Sequence, residues 1–286
     1  MVIAANILWS FFPIITLLTY SFVSPLFSLA WSTFFAAVFF AVILTLRKTW
    51  KDFKNISALK DMLMTALFIG ILFYGLYFWG LQYTTAGNAS IISLMEIFFT
   101  FLLFNVWKKE YMSIKHIIGA LLMIVGAIIV LIPEKFSFYS GDFIILIAIL
   151  FGPIGNYFQK KARKQVSAEA IMFTRSMVTF PCIFLFAYIT MDTIGISGIK
   201  ESLLLLLLNG IIFLGFSKIL FIESIHRISV TKAISMEGLN PLLTLFFAFF
   251  ILGEIPTVFQ FLSFIPLFIG LILLTSNGAK ELQEHT

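Results

Sequence analysis

Glu96 and Glu237 are the residues of this chain whose type and setting point most directly to chemistry. Each is a carboxylic acid inside an otherwise apolar run: Glu96 in ASIISLMEIFFTFLLF (89–104), Glu237 in AISMEGLNPLLTLFFAFF (233–250). Such an acid must meet water, a base or a ligand. It can bind a substrate ammonium or a coupling proton, or it can lock helices together by pairing with Arg175. Arg175 lies inside a third apolar run and suits either a substrate carboxylate or a structural pairing with one of the acids. Lys218 lies near the end of a fourth run, where a long side chain can snorkel toward the interface. Lys232 and Asn88 open the two acid-bearing runs; a helix N-terminus attracts anions, so Lys232 fits either a carboxylate or phosphate there or a plain interfacial position. Tyr77, Asn156, Tyr157 and Gln159 add polar and aromatic groups within apolar segments and suggest one wall of a water-accessible path. Pro13 and Pro153 each remove a helical hydrogen bond, as hinges or as packing kinks.

The two acid-bearing stretches are two copies of one design. Ala89, Thr100 and Glu110 recur as Ala233, Thr244 and Glu254, and Gly126 and Ile128 as Gly270 and Ile272, always 144 positions apart. The repeat sets Glu96 against Asn240, Ser93 against Glu237 and Asn88 against Lys232. These mismatched pairs are the expected substrate-binding or coupling positions.

Composition fixes the class of the elements that carry these groups. The chain has 286 residues; 60% are hydrophobic, 17% aromatic and 12% charged, with a mean hydropathy of +1.05. Soluble domains are about 25% charged. Positions 2–46 hold no charged residue, and 202–222 hold only Lys218. A run of about 20 apolar residues crosses a bilayer as a helix, and unalternating runs such as Leu203–Leu208 exclude barrel strands. Turn residues divide the chain into spans near 3–23, 26–46, 62–81, 86–107, 114–132, 141–160, 167–189, 202–222, 230–251 and 257–276. The reading is an all-α polytopic membrane protein: ten helices in two five-helix repeats, 1–137 and 138–286, forming one membrane domain.

Loop charge orients the spans. With the N-terminus inside, the inner loops carry Arg47, Lys48, Lys51, Lys54, Lys60, Lys108, Lys109, Lys115, Lys160, Lys161, Arg163, Lys164, Arg227 and Lys280, and the outer loops only Lys135 and Lys200. Both termini are therefore expected in the cytoplasm. Five spans per repeat is odd, so the repeats are inverted about an axis in the membrane plane. The first helix starts almost at Met1 without a basic leader and is expected to be retained.

The residues at this point resemble the drug/metabolite transporter superfamily in its EamA-type branch. Helix nine, AISMEGLNPLLTLFFAFFILGE, is similar to the family's pattern of Ala-Ser, an intramembrane Pro and a closing Gly-Glu, with Asn240-Pro241 and Gly253-Glu254. Helix four departs, with Glu96-Ile97 and Lys109 at the matching places. Helix one, ILWSFFPIITLL, is similar to the family's Trp-Gly start with Ser10 for Gly. IIGALLMIVGAIIVL and FLSFIPLFIGLILLT resemble its glycine-bearing fifth helix. The resemblance implies secondary transport of small metabolites, often export of amino acids or drug-like compounds.

The resulting expectation is a carrier for an amino-acid-like or amine-bearing metabolite, by alternating access and with protons as the candidate coupling ion. The alternative is exchange of anionic or nucleotide-like metabolites through Arg175, Lys218 and Lys232; a lipid flippase ranks third. A bacterial plasma membrane and a monomer or weak homodimer fit this reading. The net charge of +5 comes mostly from the basic loops and does not signal nucleic acid. The sequence calls for no cofactor: there is no Walker segment, no His-Glu-x-x-His, no intramembrane aspartate pair, a lone Cys182, and no ligand spacing around His226. An enzyme is not expected.

Overall fold

The structure is a computed structural model that describes residues 2–103, 114–131, 139–190, 198–227 and 240–275. Its regular elements are all helical. In chain order they are α1 (Val2–Ser10 and Phe12–Thr19), α2 (Pro25–Arg47), α3 (Ile56–Leu81), α4 (Ala86–Phe101), α5 (Ile114–Leu131), α6 (Ser140–Arg163), α7 (Ala168–Ile189), α8 (199–227), α9 (Asn240–Leu252) and α10 (Val258–Thr275). By length and composition α2, α3, α6, α7 and the Ile199–Glu223 part of α8 suffice to cross a membrane; the described parts of the other five are shorter and apolar. The chain is an all-α membrane protein of ten helices in two five-helix repeats.

Local chemistry sets the ends. Ser24 is extended and Pro25 takes the first helical position of α2, where its missing N–H costs nothing. Asn55, Thr85 and Ser167 accept hydrogen bonds from the amides of Ala58, Asn88 and Ala170 and so cap α3, α4 and α7. Gly253, at φ +70°, ends α9 in the left-handed region that favours glycine.

The two prolines expected as hinges behave differently. α1 breaks at Phe11, where the Phe11 amide bonds the Leu8 carbonyl at 3.2 Å, and restarts with Pro13 in its first turn. Pro13 has no N–H for the Trp9 carbonyl, which accounts for the break. α6 runs unbroken through Pro153. In α3 and α8, by contrast, the two halves match: each is wound as a π-helix over equivalent stretches, Ala66–Phe73 and Leu208–Phe216. GILFYG (70–75) begins inside the first stretch and GIIFLG (210–215) lies inside the second, a repeat signal that a single fixed offset misses.

Packing obeys one pseudo-two-fold relation. α2 packs on α7, α4 on α9 and α5 on α10, each helix on its own counterpart. The contact of α1 with α8 mirrors that of α6 with α3; α2 with α8 mirrors α7 with α3; α1 with α9 mirrors α6 with α4. An aromatic cluster fills the centre: fully buried Phe12 stacks on Trp9 at 4.1 Å between centroids and meets Tyr74, Tyr77, Phe78 and Phe213. Lipid is as apolar as phenylalanine, so these rings bind helices by close contact rather than by leaving water. Leu46, Phe250 and Ile265 are among the apolar side chains left on the outer surface, as a bilayer requires.

We call the end bearing Arg47, Lys161 and Arg163 the basic end, and its opposite the far end.

Candidate functional site

α4 is interrupted at Leu94, two residues before its acid. The Leu94 amide bonds the Ile91 carbonyl and the Ile97 amide the Leu94 carbonyl, both at 3.0 Å, a tightened turn between Ala86–Ser93 and Met95–Phe101. Ser93 promotes it by donating its hydroxyl back to the Ala89 carbonyl at 2.7 Å. Glu96 follows and meets α6, where Asn156 Nδ2 donates to its Oε1 at 2.8 Å. Gly152 makes room: a Cβ there would stand 2.7 Å from Glu96 Oε1.

Glu96 thus lines a central cavity built by both repeats, with roughly 880 Å³ of non-atom space counting its open mouth. α3 contributes Tyr74 and Tyr77. α1 contributes Trp9 and Pro13 beside its break; α9 contributes Asn240, Pro241 and Thr244.

Two cations face the same space. Arg175 on α7 is 4% exposed; its Nη2 donates to the Leu214 carbonyl at 3.4 Å and its guanidinium carbon lies 5.4 Å from the Tyr74 ring centre. Leu214 belongs to the π-wound stretch of α8, and Tyr74 directly follows that of α3, so Arg175 bridges the two bulged helices. Lys218 does not reach for the interface as the snorkelling reading has it. Its Nζ lies 3.2 Å from the Trp9 ring centre and it lines the cavity. An aromatic face attracts a cation by about 0.5–2 kcal/mol, which holds the ammonium inward.

Two acceptors in the wall have no hydrogen-bond partner among the described residues: Gln159 Oε1 and Asn240 Oδ1, on residues 2% and 8% exposed. A buried unsatisfied polar group costs about 1–3 kcal/mol, and a ligand N–H or O–H would remove that cost. The cavity therefore offers an acid and neutral acceptors to a donor group, and two cations to an anion.

Of the residues expected from sequence, Glu96, Arg175, Ser93, Asn240, Tyr77, Asn156, Lys218 and Pro13 line this cavity. Asn88 does not; it lies in a polar network at the far end. Tyr157 points to its neighbour Phe158, at 5.3 Å between ring centres, and is absent from the lining. Pro153 stands next to lining Gly152 without lining the cavity itself. Glu237 and Lys232 fall outside the described residues.

Sequence reasoning passed over the far-end network. Asp142, in the first turn of α6 and not singled out in the sequence, is 2% exposed. The Thr84 hydroxyl bonds its Oδ1, and Asn88 Nδ2 donates to its Oδ2 at 3.0 Å. Gln260 Nε2 of α10 donates to Asn88 Oδ1 at 2.7 Å. Beside it, Glu254 accepts the Ala86 and Gly87 amides, at 3.0 and 3.2 Å, across the repeat boundary and so caps α4. Burial pushes the Glu254 carboxyl above its ordinary range, and the two amides offset part of that. In sequence only its recurrence with Glu110 and the closing Gly253-Glu254 signalled this residue, and they signalled architecture.

Residues 1–132 and 139–276 match the EamA-like transporter family. A protein of Methanothermobacter thermautotrophicus described as an uncharacterized transporter is 28% identical over 228 residues, 76% of this chain; the match spans only 64% of that relative's length. The uncharacterized transporter YoaV of Bacillus subtilis is 20% identical over 227 residues, 78% of each chain. One crystal structure superposes with a TM-score of 0.70 over 96% of this chain and 95% of its own, at 15% identity, a likeness of fold alone.

Proposed function

The chain belongs to the EamA-like transporter family, and we propose that within it the chain carries a small zwitterionic, amino-acid-like metabolite by alternating access. The observation that supports this is the presence of opposite charges in the lining of one cavity: Glu96 from α4, Arg175 from α7 and Lys218 from α8. A substrate ammonium meets Glu96, with Gln159 Oε1 and Asn240 Oδ1 as further acceptors, while its carboxylate meets Arg175 and Lys218. In this reading both termini are cytoplasmic, so the basic end faces the cytoplasm. The matched π-wound stretches of α3 and α8 flank the cavity, and such bulges often mark functional places in helices. Glu96 is also a seat for a coupling proton when no ammonium occupies it.

Ligand-induced thermal stabilisation of the purified protein tests this, across amino acids, amines, nucleotides and phosphosugars at two pH values. Amino-acid-like ligands should stabilise the wild type. Arg175→Gln and Glu96→Gln should each weaken their binding by at least about tenfold, or ~1.4 kcal/mol.

A second reading, exchange of anionic metabolites, is favoured by the excess of two cations over one acid among the described lining residues. A response confined to anions and indifferent to Glu96→Gln would replace the first reading with this one.

A further inference from the structure

We propose that the far end holds a second proton-binding site, at Asp142, whose occupancy keeps that end of the carrier shut. The inference rests on the carrier reading but names a residue and a seam outside the central cavity.

Asp142 is the keystone of a chain that ties α6 to α4 through Asn88, and α4 to α10 through Gln260. Gln260 is held in turn by the Thr257 amide, which donates to its Oε1 at 2.9 Å. Thr84 joins the turn after α3 to the same carboxyl. Thr84 and Asn88 thus bond the carboxyl directly and Gln260 reaches it through Asn88, so one chain of hydrogen bonds ties both repeats together at the far end.

Among the described residues, the groups that bond this carboxyl are neutral. The end of α3 brings Thr84 and, beside Gly141, the backbone of Tyr83, whose phenol is partly exposed. α4 brings Asn88 here; its own acid, Glu96, sits deeper, on Asn156. α10 brings Gln260 and has no ionisable residue over Val258–Thr275. The loop before it brings Glu254, engaged with the Ala86 and Gly87 amides. On α6 itself Lys160, Lys161 and Arg163 lie at the opposite end. α8 meets α6 through its Ser217–Arg227 segment, also toward the basic end, where Glu223 pairs with Arg163. On α7, Glu169 likewise pairs with Arg47 of that end, and Arg175 faces the cavity. Among the described residues no base stands against Asp142.

The hydrogen bonds fit a neutral carboxyl. With a proton on Oδ1, Asp142 donates to Thr84 Oγ1, because a hydroxyl turns to accept as readily as to donate. Oδ2 still accepts from Asn88. Every bond survives and the buried charge disappears. When the far end opens, water reaches the carboxyl and the ionised form is no longer penalised by burial. Opening therefore releases a proton to that side, and closing takes one up. Acid favours the shut state and alkali the open one.

Asp142→Asn is the natural test, because asparagine reproduces the protonated side chain: its N–H reaches Thr84 and its carbonyl accepts from Asn88. Spin labels on cysteines replacing exposed Phe143 of α6 and Phe261 of α10, in a Cys182→Ser background, report the width of the far end. In otherwise wild-type protein, the ratio of short to long separations should fall by about tenfold between about pH 5 and about pH 9. Asp142→Asn should hold the short separation across the same range, and Asn88→Ala should favour the long one throughout. A wild type indifferent to pH, or an Asp142→Asn variant that responds as the wild type does, overturns the proposal. The labels need no substrate. Failure of the cavity reading would instead appear as absent ligand stabilisation with this pH response intact.

Discussion

The two ends of the bundle solve the same problem, a buried acid, in opposite ways. At the basic end acids meet bases. Arg163 Nη2 lies 2.7 Å from Glu223 Oε1, Lys161 Nζ 3.1 Å from Asp61 Oδ1, and Arg47 Nη1 3.5 Å from Glu169 Oε2. At the far end Asp142 meets a hydroxyl and an amide side chain, and Glu254 meets two backbone amides. An acid beside a base keeps its charge, and its bond weakens with salt. An acid among neutral donors has no such counter-charge, and its state is set by pH. The basic end should thus respond to ionic strength and the far end to protons, in a scaffold that otherwise treats its two halves alike.

The largest effect should come from the best-built ion pair. Arg163 approaches Glu223 Oε1 through both Nε, at 2.9 Å, and Nη2, with side chains only 22% and 17% exposed. Exposed pairs contribute about 0–1 kcal/mol, and breaking a fully buried one costs about 3–5. Arg163→Ala should therefore destabilise the protein by about 2 kcal/mol. Part of that loss should be recovered by adding Glu223→Gln, since the carboxylate is left with only the longer contact to Arg227 Nη2 at 3.8 Å. Chemical unfolding of the single and double variants measures the coupling; simple additivity would mean that this end is not held by charge.

The basic end was legible in sequence because loop charge is a local property: Arg47, Lys161 and Arg163 sit where turns separate apolar runs. So were the helices, from run length and from separators such as Ser24-Pro25, although the third, expected to start near 62, begins at Ile56, capped by Asn55 inside the charged loop. Glu96 and Arg175 stood out because each interrupts an apolar run. Asp142 did not, because an acid two residues into a helix reads as a solvated first turn until Thr84 and Asn88 are known to cover it. Lys218 was misread for a related reason. Its distance from the helix end suggested snorkelling, and only the break in α1, which sets Trp9 beneath its ammonium, holds it inward. The π-wound stretches lay hidden because their repeat, GILFYG against GIIFLG, runs at a spacing of 140 rather than 144. What escaped was in each case a contact between distant segments.

A smaller effect, and the one that sharpens the contrast most, concerns Glu254. Its carboxyl is pushed above its ordinary range by burial, net of the Ala86 and Gly87 amides. The folded state therefore holds this proton more tightly than the unfolded chain. The stability it contributes is fully present below the unfolded value of about 4.3 and is lost as pH rises through the higher folded value. Glu254→Gln cannot titrate. It also turns one of its two amide acceptors into a donor, at a cost of about 1 kcal/mol. Wild-type stability relative to this variant should decline as pH rises from about 4, as read from thermal unfolding across pH. A rise instead would make Glu254 a simple helix cap that favours its charge, and the far end would lose half of its contrast with the basic end.

The smallest effect is expected at Arg47. Its side chain is 60% exposed, while Glu169 is 3% exposed and also accepts the Thr49 hydroxyl at 3.1 Å. Arg47→Ala should cost less than about 1 kcal/mol at low salt. The difference from wild type should fade toward zero near 1 M salt, where the screening length shrinks to about 3 Å. Thr49→Val should cost as much or more, because it strips a hydroxyl from a buried carboxylate, and it should be insensitive to salt. Unfolding both variants at low and high ionic strength separates the two contributions. If Arg47→Ala proved the costlier and salt-independent, the acids of the basic end would be held by local geometry, as Asp142 is, and the division between a salt-sensitive end and a proton-sensitive end would collapse into one mode of packing.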